Sequence, residues 1–319
     1  MSGVVQDTQS PVNVGIVVDI FSTSILLEAL APSKLSTVSG YKSVKNLNIV
    51  HFAYTPNVLR PPLEEVVRDA KANKDFRLGA YLLEYIDNVS KHPFLKTNTA
   101  FGYLMLASPL LYVVIKALVS SNESVSDVSR VITKYYQAII EGLKKETIKN
   151  FYLALKKASV KHLGEYFGKI PSVSVETNLV LESFSLWDAL RESMYLDLIS
   201  HEIVTGFKRV LEVYNSLSLL KGEVSTKKLL DYATLVHTKI LSSNIDTLVL
   251  KSKNFNSALL LKYLSTLRAS MTEELWNRVD NYARENELNP GSTSDIVAAG
   301  LALYQVGTYV TQSIKRCTT

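Results

Sequence analysis

The sequence predicts an all-α fold: a single multi-helix globular domain over residues 1–319, with about ten or more helices. Apolar residues recur with helical spacing along most of the chain, whereas alternating, strand-like patterns are scarce. Dipeptides that form tight hairpins, such as Asn-Gly and Asp-Gly, are absent. Apolar residues make up 47% of the chain and charged residues 20%, which is typical of globular proteins and not of disordered ones.

The first half of the chain is expected to hold six helices. An apolar run predicts a helix over 14–31, which ends near Pro32 because proline cannot continue a helix. A loop rich in Ser, Lys and Gly follows at 33–48. Apolar spacing and the breaks between segments then predict helices over 61–73, 76–90, from about 98, 127–140 with Ser126 as its cap, and 144–160.

The second half is expected to begin with an irregular stretch over 163–183, which contains Gly164, Gly168 and Pro171 and is a weak internal boundary. A long helix over 185–218 is predicted next, because two rows of apolar residues keep helical spacing along it. Further helices are expected over 225–241, 255–265, 271–286 and from Asp295 to Lys315.

A run of turn and capping residues precedes this last helix. Residues 289–295 read Asn-Pro-Gly-Ser-Thr-Ser-Asp, so proline and glycine stop the preceding segment and three hydroxyls offer N-cap oxygens. Asp295 falls in the first turn, where a carboxylate suits the helix dipole. A helix start with unpaired backbone N–H groups can bind an anion. The alternative interpretation is a well-capped helix with no ligand.

An uncharged stretch from Thr97 to Ile115 raises the question of a membrane span. Its length is close to that of a transmembrane helix, but Pro109 interrupts it and no second comparable stretch exists. We therefore expect a buried helix of a large all-α protein, with no membrane partner.

Acidic residues on the long predicted helix are candidates for catalysis. Asp197 and His201 are four residues apart and share a helix face, and Glu202 lies on the neighbouring face. A carboxylate beside an apolar row suits a general base or a ligand of Mg²⁺. A surface salt-bridge ladder with a bend at Gly206 is the alternative.

Polar residues elsewhere suggest contacts with a phosphate-rich ligand. Asn98 stands where a loop meets the uncharged helix, and Gly102 allows close approach of another backbone or a ligand. A simple N-cap explains Asn98 equally well. Lys34 and Lys251 follow apolar segments and could reach phosphates, or they could be solvated.

Composition excludes several other classes of function. The net charge of +5 is mild, and basic residues do not cluster with aromatic ones, so no nucleic-acid partner is expected. The five histidines show no zinc-site spacing, and no P-loop, dinucleotide fingerprint or nucleophile elbow occurs. The single cysteine, Cys317, excludes an intramolecular disulfide, and the polar start of the chain shows no secretion signal, so a cytoplasmic location is expected.

Four blocks, taken in order, resemble the triphosphoribosyl-dephospho-CoA synthase family, most closely its archaeal-type branch. Together they stretch across most of the chain. The blocks are Thr97-Asn98-Thr99 with Gly102, resembling Asn-Thr-x-x-Gly; Asp197, Ser200, Glu202, Gly206 and Phe207, resembling Asp-x-x-Ser/Ala-x-Glu-x-x-x-Gly-Phe; Asp246-Thr247-Leu248, resembling Asp-Thr-Leu; and Asn289-Pro290-Gly291-Ser292 with Asp295, resembling Pro-Gly-x-x-x-Asp-Leu.

The resemblance implies an all-α transferase that joins ATP to 3′-dephospho-CoA, or a related ribosyl acceptor, and releases adenine. In this family the acceptor's ribose 2′-hydroxyl attacks C1′ of ATP, and Mg²⁺ accompanies the nucleotide. The implied roles are base or Mg²⁺ ligand for Asp197 and Glu202. Phosphate or nucleotide binding, or ordering of the site, is implied for Lys34, Asn98, Gly102, Asp246, Lys251, Asn289, Gly291, Ser292 and Asp295. A homo-oligomer is left open.

The chain departs from the family pattern at several positions. The family's Lys-Pro-Gly segment keeps only Lys34 here, and Ser36 replaces the glycine. Ala100 and Phe101 stand where the bacterial branch has His and Lys. A side chain at the glycine position is expected to close a phosphate loop. These departures motivate the alternative function, a non-catalytic nucleotide-binding or regulatory protein on the same fold.

Overall fold

The computed structural model describes residues 12–95, 97–120, 127–158, 168–174, 178–220 and 224–318. In these ranges the chain is all-α: it forms helices and no β-sheet, only three isolated bridges. The fifteen helices are α1 Val14–Leu30, α2 Ile49–Lys71, α3 Leu78–Lys91, α4 Phe101–Val119, α5 Val128–Lys145, α6 Ile148–Lys157, α7 Asn178–Glu182, α8 Leu186–Ser193, α9 Leu198–Val204, α10 Lys208–Leu217, α11 Thr226–Ser243, α12 Thr247–Ser252, α13 Phe255–Thr266, α14 Glu273–Glu285 and α15 Gly291–Thr318.

Helix α4 lies at the centre of the main hydrophobic core. It packs against α2, α3, α5 and α15, and its side chains are apolar on every face. By length and composition it could cross a membrane, but 78% of its most apolar stretch is buried inside the protein. A helix that is apolar all round and covered on all sides is a core helix. The expectation of a buried helix is therefore confirmed.

Helix α15 is the second central element, and it contacts α1, α4, α10 and α11. Its small residues allow neighbouring helices to approach closely. A Cβ added at Gly300 would lie 2.5 Å from the Cβ of Val213 on α10. Because residues 296–306 of α15 are almost all buried in the core, packing fixes the position of its first turn.

A smaller hydrophobic cluster lies beside the main core. Its buried residues come from the loop after α1 and from α11 to α14 with the segment that follows them: Leu35, Leu241, Val249, Ala258, Leu261, Trp276, Ala283 and Leu288. This cluster holds α12 and the segment before α15 in place. The boundary expected at 163–183 falls partly outside the described residues and remains a prediction.

The predicted start of the second helix is wrong. Helix α2 begins at Ile49 instead of 61 and continues through Pro56, Pro61 and Pro62. The reason is a capping box, in which Asn48 accepts the His51 N–H and the His51 side chain accepts the Asn48 N–H. Prolines inside a helix cost about 3 kcal/mol each. The buried face of α2, packed on α1 and α4, offsets that cost.

The single long helix expected over 185–218 is instead three helices, α8, α9 and α10. Asp197 starts α9 as its N-cap, accepting the Ser200 N–H at 2.8 Å. Gly206 and Phe207 both have left-handed backbone angles, with φ of 78° and 62°, and separate α9 from α10. Helical spacing of apolar residues persists across these breaks because all three helices face the same core. The cap expected at Ser126 lies outside the described residues.

Candidate functional site

A cavity of about 620 Å³ opens where α4, α9 and α15 begin. Helix α12 also lines the cavity, and α6, α8 and residues 170–173 complete its wall. The cavity brings together these residues singled out in the sequence: Asn98, Gly102, Asp197, Lys251, Asn289, Gly291, Ser292 and Asp295. Residues almost 200 positions apart in the chain therefore share one hollow.

Asn98 caps the central helix and also lines the cavity. Its Oδ1 accepts the backbone N–H groups of Phe101 at 3.0 Å and Ala100 at 3.2 Å, and the Tyr85 hydroxyl at 3.2 Å. These bonds satisfy N–H groups that the start of α4 would otherwise leave unpaired. The cap expected at Asn98 is confirmed, and its contact with a ligand stays a prediction that its place in the cavity wall allows.

Gly102 allows the Asp295 carboxylate to lie directly against the start of α4. A Cβ at this position would be 2.2 Å from Asp295 Oδ2 and 3.2 Å from Asp295 Cγ. With a Cβ at this position the Asp295 carboxylate or the start of α4 would have to shift, so the glycine is what allows this close approach. The close approach is with Asp295 of α15. The expectation that Asp295 falls in the first turn is wrong, because α15 begins earlier, at Gly291, and holds no acidic residue in its first turn.

Asp197 and Lys251 form an ion pair at the edge of the cavity. The Lys251 Nζ donates to Asp197 Oδ2, and both side chains are partly exposed, at 30% and 20%. Burial by itself would raise the pKa of Asp197, but the Lys251 ammonium and hydrogen bonds from Ser200 outweigh it. The pKa therefore lies below its usual value, and this carboxylate remains ionised at neutral pH.

Asp295 has the opposite electrostatics. Burial raises the pKa of its carboxyl well above the usual value, and the negative charges of Glu28, Asp246 and Asp197 raise it further. A hydrogen bond from the Tyr103 backbone N–H acts against these effects. The cavity therefore holds two carboxylates whose pKa values are shifted in opposite directions, an arrangement typical of acid–base sites.

Asp246 ties the start of α12 to the start of α15. Its Oδ1 accepts the N–H groups of Leu248 and Val249, at 3.0 and 3.2 Å. Its Oδ2 accepts both the N–H and the hydroxyl of Thr293, each at 2.8 Å. Asp246 is fully buried and does not line the cavity. It fixes Lys251 on α12 relative to Asp295 on α15, and it occupies one N–H of the helix start predicted to bind an anion.

The sequence of the chain matches a known protein family over almost its whole length. The family is CitG, described as ATP:dephospho-CoA triphosphoribosyl transferase, and the match covers residues 16–313. The chain belongs to the CitG family. Among solved structures, a protein from Archaeoglobus fulgidus assigned as a triphosphoribosyl-dephospho-CoA synthase shares 17% identity and superposes with a TM-score of 0.58, covering 81% of this chain and 98% of that one. No curated protein sequence matches the chain.

Glu202 was predicted to be a base or Mg²⁺ ligand of this CitG chain, but the structure places it outside the cavity lining. Its side chain is fully buried, and Oε1 accepts from the Arg209 guanidinium at 2.9 Å. Its Oε2 accepts the backbone N–H groups of Arg209 and Val210 at 2.8 and 3.1 Å. Glu202 therefore caps α10 beyond the left-handed turn at Gly206 and Phe207, a structural task that argues against the predicted roles.

Lys34, predicted to hold phosphates, is also absent from the lining. Its ammonium is fully buried and donates to the Glu28 carboxylate and to the Glu28 carbonyl, both at 2.5 Å. Burial lowers the pKa of Lys34, against the opposing effect of Glu28. The Glu28 carboxylate in turn interacts with Ser294, which lines the cavity. Lys34 thus lies behind the residues that line the cavity and does not line it itself.

Ser36 does not close the cavity, contrary to the expectation from the lost glycine. Its φ of 51° is left-handed, the region that favours glycine, which explains why the family pattern has glycine at this position. Its side chain is buried away from the lining, whereas the following residues Thr37 and Val38 do line the cavity. The substitution costs backbone strain and leaves the hollow open.

Several lining residues were not foreseen from the sequence. Glu192 contributes a third carboxylate, and its Oε1 accepts the Lys169 N–H at 2.6 Å. Helix α6 contributes Phe151 and Tyr152, and Ile170 follows from the next segment. On a helix, aromatic and aliphatic residues look the same whether they face a core or a cavity. No sequence pattern distinguishes the two cases.

Proposed function

We propose that this protein transfers the triphosphoribosyl group of ATP to dephospho-CoA and releases adenine. Membership of the CitG family over residues 16–313 supports the reaction. The observation that carries the assignment to this site is the meeting of Asp197, Lys251 and Asp295 in one cavity. In the reaction a hydroxyl oxygen of the acceptor ribose bonds to C1′ of ATP, and the C1′–N9 bond breaks with its electrons going to adenine. The hydroxyl proton leaves to a base, and adenine takes up a proton.

Asp295 is the proposed general base. A base must be ionised to accept the hydroxyl proton, and it works best when its pKa lies near the working pH. Burial and three neighbouring carboxylates shift the Asp295 pKa upward, toward that range. Asp197 is assigned a different task, because its ion pair with Lys251 keeps its carboxylate ionised and makes it a weaker base.

The start of α15 and Lys251 are the proposed phosphate contacts. Gly291 and Ser292 lie at the N-terminus of a long helix, where the helix dipole favours an anion. The Gly291 N–H already donates to the Asn289 carbonyl at 2.9 Å, so the Ser292 N–H is the proposed backbone contact. Lys251 is the only lysine, arginine or histidine that lines the cavity among the described residues, and it faces three carboxylates there. A triphosphate therefore needs additional positive charge to bind in this cavity.

Mg²⁺ fits this requirement when it arrives with the nucleotide. Among the described residues, no group of three or more His, Cys, Asp or Glu side chains could hold a metal by itself. Mg²⁺ in nucleotide sites commonly uses one or two carboxylates and completes its shell with phosphate oxygens and water. Asp197 is the proposed protein ligand, because its carboxylate lines the cavity and stays ionised. Bound there, the metal would neutralise phosphate charge.

A second function, nucleotide binding without transfer, is favoured by one observation. Ala100 and Phe101 line the cavity with apolar atoms where the bacterial branch has His and Lys. The experiment described next separates transfer from binding without transfer.

The test incubates the protein with ATP, dephospho-CoA and Mg²⁺ and measures adenine by chromatography and the coupled product by mass. We expect several adenines per protein molecule, and loss of at least 100-fold in rate for Asp295→Asn. The matched control is Asp87→Asn, because Asp87 is paired with Lys157 on the surface and lies outside the cavity. Raised thermal stability with Mg·ATP but no adenine would favour the binding function. If Mg·ATP neither raises the thermal stability nor leads to adenine release, both proposed functions are excluded.

A further inference from the structure

The cavity has two ends of different chemistry. The charged and hydrogen-bonding groups stand on α9, α12 and α15, at the end that holds Asp197, Lys251 and Asp295. Helix α6 and residues 170–173 line the cavity mostly with apolar side chains and form what is here called the apolar end. Helix α8 adjoins the polar end, since its Ser193 carbonyl accepts the Asp197 N–H at 2.9 Å. A ligand that fills the whole cavity must therefore be charged at one end and apolar at the other.

Aromatic rings form one wall of the apolar end. The ring of Phe101 on α4 packs against that of Phe151 on α6, with centroids 6.3 Å apart and planes at 50°. Phe151 packs in turn against Tyr152 at 6.3 Å. Phe151 is only partly buried within the protein, so part of its ring is available to the cavity.

This wall is held in place by hydrogen bonds to the segment that closes the end of the cavity. The Tyr152 hydroxyl donates to the Pro171 carbonyl at 2.6 Å. The Glu192 carboxylate of α8 accepts the Lys169 N–H at 2.6 Å. The apolar end is thus a supported surface with aromatic faces and one carboxylate near it, and among the described residues no cation lines it.

We infer that this apolar end binds the purine base of the donor nucleotide, with Phe151 as its main aromatic contact. The inference rests on the proposed function and adds the place of the adenine that leaves. A flat purine gains from contact with aromatic rings. A phosphate group would lose its hydration there without gaining a cation or a helix start, so the triphosphate is directed to the other end.

Binding measurements by calorimetry test this placement without requiring turnover. The probes are Mg·ATP, adenosine, inorganic triphosphate with Mg²⁺, and dephospho-CoA. Phe151→Leu keeps an apolar side chain but removes the ring, and we expect about tenfold weaker binding of Mg·ATP and of adenosine. Inorganic triphosphate should bind Phe151→Leu as it binds the wild type. Phe151→Tyr keeps the ring and should recover most of the affinity for Mg·ATP and adenosine that Phe151→Leu loses.

Two further variants sharpen the test. Lys251→Met should weaken Mg·ATP and inorganic triphosphate while leaving adenosine unchanged, because Lys251 stands at the polar end. Leu153→Ala changes an exposed residue of the same helix and should change nothing. Melting curves of each variant confirm that it is folded.

The inference is overturned if Phe151→Leu binds Mg·ATP and adenosine as tightly as the wild type. Selective weakening of dephospho-CoA would instead assign the apolar end to the acceptor's pantetheine arm. Failure of the proposed transfer is a separate outcome: the protein would bind nucleotide with this pattern of affinities and release no adenine.

Discussion

Adding a single methyl group at Gly102 should greatly reduce the activity while lowering the stability of the fold only slightly. In Gly102→Ala the new Cβ would stand 2.2 Å from Asp295 Oδ2, whereas its other close neighbour, Ile199 Cγ1, is at an ordinary 3.4 Å. A comfortable carbon–oxygen separation is more than 3 Å, so the carboxylate or the start of α4 must move by roughly 1 Å. The perturbation is therefore directed at one side chain.

The magnitude follows from two opposing effects. Overpacking costs about 1–3 kcal/mol, and replacing a helical glycine by alanine returns about 0.5–1 kcal/mol. The net loss should be about 1–2 kcal/mol, which lowers Tm by about 1.5–3 °C for a protein of this size. A catalytic group displaced by about 1 Å can lose about 100-fold in rate. We therefore expect a large loss of activity with a small loss of stability.

A double-mutant cycle isolates the contact. Asp295→Ala removes both atoms nearest to the added Cβ, so Gly102→Ala should cost little or nothing in that background. The coupling energy from thermal or denaturant unfolding should be about 1–3 kcal/mol. The effect on activity is measured separately, as the rate of adenine release per folded molecule of Gly102→Ala compared with the wild type.

Gly307→Ala is the matched control, since Gly307 is also helical but its Cβ would have no neighbour closer than 3.7 Å. It should be neutral or slightly stabilising and fully active. The reasoning is refuted if Gly102→Ala keeps wild-type activity, or if its stability cost is the same with and without the Asp295 carboxylate.

Three further substitutions test the remaining assignments. Glu202→Gln should lower the free energy of unfolding by about 3 kcal/mol, because it removes the buried charge paired with Arg209 and turns an amide NH2 toward donors on one side. The kcat of the folded protein should stay near wild type, and a selective loss of kcat would support a catalytic role for Glu202. Asp246→Asn should leave a buried Thr293 donor unpaired, at a cost of about 1–3 kcal/mol, and raise KM for ATP; an unchanged Tm would contradict its double capping. The Asp295 pKa is raised in the folded state, so its contribution to stability is present at acid pH and is lost as pH rises through that pKa. Asp295→Asn should therefore melt above the wild type at neutral pH, with the difference vanishing at low pH, and equal melting at neutral pH would contradict the shifted pKa.

Much of the fold could be predicted because helical spacing records which residues face the core. It could not locate the breaks at Asp197 and Gly206, since α8, α9 and α10 face the same core and the apolar rhythm continues through them. The start of α2 was missed for the opposite reason. Its prolines suggested a loop, and the capping box at Asn48 with tertiary packing overrode them.

The sequence predicted candidate residues for the site, and their roles remain predictions. Motif order located Asn98, Asp197 and Asp295, which converge in the cavity. Spacing could not show that Glu202 turns toward Arg209 or that Lys34 turns toward Glu28, because a charged side chain's partner depends on how distant segments pack.

The central claim is that ATP reacts in the cavity between Lys251, Asp197 and Asp295. A crystal structure of Asp295→Asn with Mg·ATP and dephospho-CoA tests it most directly. The account predicts triphosphate at Lys251 and the start of α15, the base against Phe151, and an acceptor hydroxyl beside residue 295. Nucleotide bound outside this cavity, or bound with its triphosphate at the apolar end, would contradict it.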